Sequence, residues 1–327
     1  MPARGTLACG TLACAMLGIA LAALLIGPVA RAEEGGWGVA GAFADLEPGG
    51  RAAGLAGAVF PLVDDPTAAH WNPARLVCLD QRGLAATYAD LFGLHLVRHT
   101  ALFFAFPRRE REVAWEGGRW QAQPGAVGSA YAFGLQATRV DLDPESYAEY
   151  DLSAAYARRS AWGLAWGLTA HGLFVRSDLA DVSASGFSTD LALSRSLSHR
   201  ADASLVVRSL FSTLNWSGGD TKESLRPMVQ IGVALKPHDD LALPAVATYD
   251  VESSALSDVA LGAEWRAVGE LLQLRAGARW HDDGSSAEVR GAAGAGLRWN
   301  DVLFDYGFTM GPEALGDTHR FSLQLRF

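Results

Sequence analysis

The chain has 327 residues, of which 50% are hydrophobic and 36 are glycine, and its formal net charge is −9. This acidic balance lacks the basic surface that nucleic-acid binding requires, so we expect no nucleic-acid partner. Abundant glycine together with abundant apolar residues is typical of a sheet protein with many tight turns.

The first 32 residues have the three parts of a secretory signal peptide. Arg4 provides a basic start, an apolar stretch runs from Cys14 to Ile26, and Ala30-Arg31-Ala32 is an A-x-A cleavage site. Residues 1–32 are therefore predicted to be removed. The apolar stretch is shorter than the about 20 residues that a membrane-spanning helix needs. Export without such a helix leaves the periplasm, the outer membrane or the medium as locations.

Cysteine and histidine usage argues against a cofactor site. Cys78 is the one cysteine that follows the predicted cleavage site, so neither an internal disulfide nor a cysteine-rich zinc site is expected. The sequence has no H-E-x-x-H or G-x-S-x-G motif. We predict no metal, no cofactor and no catalytic residues. The alternative is an enzyme whose catalytic groups come from separate strands, and His171 and His281 are then the first candidates.

The stretch that precedes the periodic part of the chain contains many small residues. Glycine and alanine dominate residues 49–58, which allows close backbone packing in a confined space. Asp65-Pro66 is typical of a helix start, and Pro73 disfavours helix at Asn72, so a one-turn helix is predicted at 66–71. For Asp64 and Asp65 we favour capping over a cation site.

From about residue 82 the sequence alternates with the period of two that is typical of strands. In the last segment Phe321, Leu323 and Leu325 share one face with Phe327, and polar side chains occupy the other face. Fourteen segments of this kind are predicted near 82–90, 97–106, 126–137, 150–158, 162–174, 187–196, 202–211, 226–236, 240–250, 257–267, 271–280, 289–299, 302–309 and 319–327.

The connections between these segments favour a transmembrane barrel over a soluble sandwich. Short turns mostly follow the even-numbered strands and longer loops the odd-numbered ones, which is the pattern of outer-membrane barrels. One connection, 107–125, is charged and long where a short turn is expected. The predicted fold class is therefore all-β, a 14-stranded antiparallel transmembrane β-barrel.

The stretch GGRAAGLAGAVFPLVDDPTAAHWNPARL at 49–76, followed by Tyr88 to Gly93, resembles the N-terminal region of PorV/PorQ-like outer-membrane proteins. More distantly it is similar to the FadL-type long-chain fatty-acid transporters. This resemblance implies that residues 33–80 form a plug, or hatch, inside a barrel of residues 81–327. The motif residues of this predicted plug are Asp64, Asp65, Asn72, Pro73 and Ala74.

Charge supports a plug independently of the resemblance. Residues 33–80 contain seven acidic and two basic residues, a balance of −5. Buried arginines need acidic or phosphate-like partners, and the predicted plug carries such acids. We favour arginines that hold the plug over arginines that also bind an anionic headgroup. The arginines assigned to the faces that line the lumen are Arg266, Arg275, Arg279, Arg290, Arg298 and Arg326.

The C-terminal residue indicates how the chain reaches the membrane. Phe327 resembles the terminal signal by which bacterial barrels are delivered to the barrel-insertion machinery, so this machinery and outer-membrane lipid are expected partners. Two functions stay open at this stage. One is a transporter or channel for a hydrophobic, fatty-acid-like small molecule, and the other is a PorV-type adaptor that receives an exported protein.

Overall fold

The structure is a computed structural model that describes residues 46–93, 95–116, 119–142, 145–160, 163–178, 181–217, 222–282, 284, 286–311 and 316–327. All of them belong to one compact unit, Gly38–Phe327. The predicted signal peptide and residues 33–45 of the predicted plug lie outside these ranges. No helix within the ranges is long and apolar enough to cross a membrane.

Fourteen long strands and one short strand form a single sheet. Strand β8, Lys222–Glu223, has two residues. The long strands are β1 Gly83–Leu91, β2 Val97–Glu116, β3 Arg119–Leu142, β4 Glu145–Arg159, β5 Leu164–Ser177, β6 Val182–Ser198, β7 Ala201–Trp216, β9 Met228–His238, β10 Leu241–Asp250, β11 Ala255–Val268, β12 Leu272–Asp282, β13 Ala287–Trp299, β14 Val302–Thr309 and β15 Thr318–Arg326.

The sheet closes on itself. The long strands pair antiparallel with their sequence neighbours, with β7 next to β9, and β15 returns to pair with β1 through registers such as Tyr88 opposite Phe321. Pairing of β6 with β7 completes the ring. The predicted closed 14-stranded antiparallel barrel is confirmed. Closure leaves none of the fourteen long strands in the described ranges as a free edge on which another chain can pair.

The two faces of the wall have opposite character. On β15 the outward side chains Phe321, Leu323 and Leu325 are exposed, whereas Ser322 and Gln324 on the other face are buried. This places apolar groups outside and polar groups inside, the reverse of a soluble sheet protein.

The predicted loop at 107–125 is wrong. Backbone pairing of β2 with β3 continues as far as Glu116 opposite Arg119, with register shifts near Arg109. The hairpin therefore extends beyond the other strands at this end of the barrel. A strand that leaves the apolar layer no longer needs an apolar face, and its charged sequence is then easily mistaken for a loop. The connection between β2 and β3 is therefore short, as expected after an even-numbered strand, and 107–125 is not an exception to the turn pattern.

Residues 46–80, which we call the N-terminal segment, contain two short α-helices, α1 Gly50–Gly54 and α2 Ala68–Trp71, and a 3₁₀ helix at Pro73–Cys78. Helix α1 contacts β12 to β15, whereas the 3₁₀ helix contacts β2 to β6, across the ring. Most of the segment is buried and belongs to the main hydrophobic cluster, with Leu55, Phe60 and Leu76 among its fully covered side chains. Its contacts with the wall thus come from two opposite directions.

Small residues permit the closest of these approaches. A side chain added at Gly50 would meet the backbone carbonyl of Asp305, and one added at Gly54 would meet the backbone of Gly294. On the opposite side, a Cβ at Gly167 of β5 would clash with Pro73. Glycine is thus required where the backbone of the segment meets the backbone of the barrel.

Candidate functional site

The predicted acidic pair of the segment divides between two environments. Asp65 is buried, and its Oδ1 accepts hydrogen bonds from Thr67 N (2.8 Å) and Thr67 Oγ1 (2.5 Å). The turn that Asp65 starts leads into a helix at Ala68–Trp71, two residues later than predicted. Asp64, whose side chain is 41% exposed, accepts a 2.6 Å hydrogen bond from Arg51 Nη1.

The Asn-Pro-Ala part of the motif fixes the backbone of the N-terminal segment. Asn72 is fully buried and donates through Nδ2 to the carbonyl of Phe60 at 3.0 Å. Pro73 occupies the first turn of the 3₁₀ helix, where its missing N–H needs no partner. Ala74 is fully buried and its backbone lies against Gly167 of β5. These contacts are structural and hold the segment against the wall.

Four buried charged side chains form what we call the arginine network: Arg51, Glu264, Arg275 and Asp305. Arg51 donates to both oxygens of Glu264, at 2.8 and 2.9 Å, in a bidentate pair. Arg275 donates to Glu264 at 2.7 Å and to Asp305 at 2.6 Å. Each charge has at least one opposite partner, which offsets the cost of removing it from water.

The charged residues of the segment pair differently from the prediction, which expected its acids to bind arginines of the barrel. Burial alone would lower the pKa of Arg51, but the carboxylates of Glu264 and Asp64 raise it above its usual value. Burial would raise the pKa of Asp64, but the Arg51 guanidinium, with help from Arg326, holds it below the usual range. Both groups are therefore ionised at neutral pH, and the base Arg51 makes the central contact.

The six arginines that the sequence assigns to the lumen have various surroundings. Arg275 pairs with barrel acids, Arg279 with Glu47 of the segment, and the two arginines of β13 with Glu288 and Glu270. Arg266 is exposed, and Arg326 is half-buried near Asp64. The expected pairing with acids of the segment thus holds for Arg279 alone among the ion pairs of the described residues. The β13 arginines are Arg290 and Arg298.

On the opposite wall a second group forms what we call the histidine network, of which sequence reasoning named His171 alone. Its members are His70, Gln136, Asp151, His171, Asp190 and Arg208. Gln136 Nε2 donates to His70 Nδ1 (3.2 Å) and to Asp151 Oδ2 (3.1 Å). His171 Nδ1 lies 3.0 Å from Asp151, and its Nε2 lies 3.4 Å from Asp190 Oδ2, outside hydrogen-bond geometry.

A bulge in β7 supplies Arg208 to this network. The pairing of β6 with β7 shifts register around Asp190, and Ser209 has φ 51°. Arg208 donates to Asp190 (3.3 Å) and to the carbonyl of His70 (3.0 Å), and it lies 5.9 Å above the Trp71 ring. The sequence signal is the adjacent apolar pair at 206–207, which breaks the alternation of the strand.

The two histidines considered for the enzyme alternative are paired with acids. His171 is bonded to Asp151, and His281 Nδ1 lies 2.9 Å from Asp258. Neither has a hydrogen-bonded serine, threonine or cysteine in the described part of the chain, as a catalytic triad requires. In the same ranges no three His, Cys, Asp or Glu residues are grouped to hold a metal ion.

Phe327 lies at the outer surface, 58% exposed, with its ring stacked on Phe104 at 6.2 Å between centroids. Its backbone N–H donates to the carbonyl of Arg82 at 3.0 Å. The terminus is thus fixed to the wall beside β1. Its part in insertion stays a prediction.

Neither the family models nor the curated protein sequences include a match to this chain. Solved structures do match. The CymD monoaromatic hydrocarbon channel has a TM-score of 0.54 at 13% identity, covering 86% of this chain and 97% of that one. A Pseudomonas aeruginosa FadL homologue has 0.54 at 14%, covering 85% and 97%. The Ralstonia pickettii toluene transporter TbuX has 0.54 at 12%, covering 85% and 98%.

The closed sheet and these matches define the class: the chain has the fold of the FadL-type outer-membrane barrels. At identities this low the similarity extends to the fold. The similar structures are described as channels and transporters, not as enzymes. The resemblance to PorV/PorQ-like proteins stays a prediction.

Proposed function

We propose that this protein is an outer-membrane barrel through which a hydrophobic small molecule passes, and that its N-terminal segment plugs the barrel. Support for the location comes from the outer surface, because exposed apolar side chains on this scale need a hydrocarbon environment. Residues of this surface include Leu102, Phe133, Leu152, Phe187, Phe211, Leu261, Phe304 and Leu323.

The transport proposal rests on the combination of this fold with an N-terminal segment that fills the interior and is held there by specific polar contacts. The similar structures are those of a monoaromatic hydrocarbon channel and of toluene transporters. A barrel built only as a scaffold has no need for a segment that bonds to opposite walls through Arg51 and Arg208. A gated path for small molecules does need such a segment.

The plug proposal rests on the contacts of residues 46–80. Helix α1 lies against β12 to β15 and the 3₁₀ helix against β2 to β6, so the segment bridges the ring. We infer that it blocks water and ions while a ligand moves past it after a local rearrangement. The exported-protein adaptor stays an alternative without a supporting contact in the described ranges.

Proteoliposomes test this function directly. Mature protein is reconstituted into liposomes that have lipopolysaccharide in the outer leaflet, which slows apolar solutes, and that contain a solvatochromic dye. It should accelerate the entry of toluene relative to protein-free liposomes of the same lipids, without making the vesicles permeable to a small sugar. A general leak gives sugar entry as well. Equal toluene entry with and without protein would contradict the transport proposal.

A further inference from the structure

The outer surface of the barrel carries three exposed arginines at the end where β1 begins and β15 ends, which we call the rim arginines: Arg108, Arg158 and Arg195. Arg108 of β2 and Arg158 of β4 flank Ser129 of β3, because each lies opposite it in register. Arg195 of β6 lies opposite Leu164, further along the same rim. Neighbouring strands are about 4.8 Å apart, so the Cα atoms of Arg108 and Arg158 are separated by about 10 Å.

The rim arginines differ from the outward arginines at the opposite end of the barrel in their partners. At that end Arg98 and Arg139 both pair with Asp141, at 3.0 and 2.5 Å. Arg176 lies 3.4 Å from Asp178. Within the described residues none of the rim arginines has an ion pair or a side-chain hydrogen bond. They therefore form a positive surface to which the described part of the chain supplies no counter-charge.

A band of aromatic rings lies next to the rim arginines, on the side of the apolar outer surface. The rings of Phe106, Tyr131 and Tyr156 follow one another, with centroids 5.3 and 5.1 Å apart. Trp166 continues the band at 5.6 Å from Tyr156, and Arg158 is two residues beyond Tyr156 on the same face of β4. Tyrosine and tryptophan are enriched where hydrocarbon meets lipid headgroups. The band thus places the rim arginines at the level of the headgroups.

We propose that the rim arginines bind the phosphate of an anionic glycerophospholipid in the periplasmic leaflet of the membrane. A guanidinium group can donate two parallel hydrogen bonds to a phosphate, and uncompensated arginines at a membrane surface attract anionic lipid. The aromatic band beside them favours a lipid over an acidic protein, because the lipid contacts both surfaces at once.

The leaflet follows from the end of the barrel on which the rim arginines lie. This end has the short turns, such as 199–200 between β6 and β7, and is therefore the predicted periplasmic end. An outer membrane has glycerophospholipids in its periplasmic leaflet and lipopolysaccharide in the other. This inference goes beyond the transport function and rests on the proposed outer-membrane location alone.

Two lipids with the same acyl chains test the charge requirement. Dioleoylphosphatidylglycerol, which is anionic, and dioleoylphosphatidylcholine, which is zwitterionic, are each titrated into purified mature protein in a non-ionic detergent, and bound lipid is measured by native mass spectrometry. The anionic lipid should bind about tenfold or more tightly. Binding measured by fluorescence at low and high sodium chloride should show that salt reduces this preference. Equal affinity of the two lipids would overturn the proposal.

Two triple variants remove the same charge from opposite ends of the barrel. The first replaces the rim arginines, as Arg108→Gln, Arg158→Gln and Arg195→Gln, and it should reduce the affinity for the anionic lipid to that for the zwitterionic one. The matched control is Arg98→Gln, Arg139→Gln and Arg176→Gln, and it should change the affinity by less than about twofold, because aspartates already neutralise these arginines. Both proteins are first shown to have the heat-modifiable gel shift of a folded barrel. Equal losses in the two variants, or no loss in the first, would contradict a site at the rim arginines.

Photocrosslinking in cells identifies the partner. A photoreactive phenylalanine analogue is placed at Ser129, between two rim arginines, or at Ala148, which lies between Arg139 and Arg176 by register. Position 129 should crosslink to glycerophospholipid and position 148 to lipopolysaccharide. A product with lipopolysaccharide or with a protein at position 129 would refute the assignment. Toluene entry into proteoliposomes is measured in parallel, so absent lipid binding with intact toluene entry refutes this inference and leaves the transport function standing.

Discussion

The two walls that hold the N-terminal segment use different chemistry. On β11 to β14 the arginine network joins Arg51 to Glu264 through a bidentate ion pair. On β3 to β7 the histidine network contacts the segment through His70 and its carbonyl, and its charge depends on protonation. The first wall therefore contacts the segment through an ion pair, whereas the contact of the second wall includes the titratable side chain of His70, so that its strength varies with pH.

Removal of the whole segment should have the largest effect. Deletion of residues 46–80 eliminates both attachments, and the interior of a barrel with this many strands is wide enough for water and ions once it is empty. In planar bilayers we expect single-channel conductance to rise about tenfold or more over that of the intact chain. The recording is made on protein that still shows the heat-modifiable gel shift of a folded barrel. Unchanged conductance would contradict the plug.

Substitution of Arg51 should break one attachment. In Arg51→Met the side chain keeps much of its volume, but Glu264 loses a bidentate partner and retains only Arg275. Loss of one partner from a buried ion pair costs about 3 kcal/mol. We expect faster cleavage of the segment in limited proteolysis and conversion of the heat-modifiable band at a lower temperature.

Arg266→Met is the control for this change. Arg266 lies on the same face of the wall two residues from Glu264, is exposed, and has no ion pair among the described residues. Its substitution should alter stability by less than about 0.5 kcal/mol. Similar losses of stability in the two variants would mean that Arg51 contributes no more than any interior charge. The difference between the two walls would then not be supported.

The sequence predicted much of the wall that carries the arginine network and little of the wall that carries the histidine network. Alternation placed Arg275 on an inward face, and Glu264 and Asp305 lie on the inward faces of β11 and β14, because each strand is regular there. Their pairing follows from register, which puts Glu264 opposite Arg275. What the sequence did not indicate is that a base of the segment, Arg51, is the central contact, because the acids of the segment outnumber its bases.

The histidine network was beyond prediction for a different reason. Its side chains come from five strands and from helix α2, and their neighbours depend on registers that alternation alone does not specify. Arg208 enters through a bulge that shifts the pairing of β7 around Asp190. The extension of β2 and β3 across 107–125 was not predicted either, because the charged sequence there lacks an apolar face. Alternation identifies faces, but it does not identify contacts between them.

The smallest expected effect concerns the protonation of His70. Burial, followed by the nearby charge of Arg208, lowers the pKa of His70 well below its usual value, so the folded protein keeps this side chain neutral. In the unfolded chain the histidine takes up a proton near pH ~6.5. Stability from the neutral side chain is therefore complete above this pH and is lost as the pH falls towards the folded-state pKa.

His70→Asn isolates this contribution. The amide oxygen of asparagine can replace Nδ1 as the acceptor for Gln136 Nε2, a hydrogen bond of 3.2 Å in the wild type, but it does not titrate. Below about pH 6.5 the wild type should lose up to about 1.4 kcal/mol per pH unit relative to the variant. Unfolding temperatures measured from neutral to mildly acidic pH give this difference. Parallel curves would show that His70 does not make the second wall pH-dependent, and the two walls would then hold the segment in the same way.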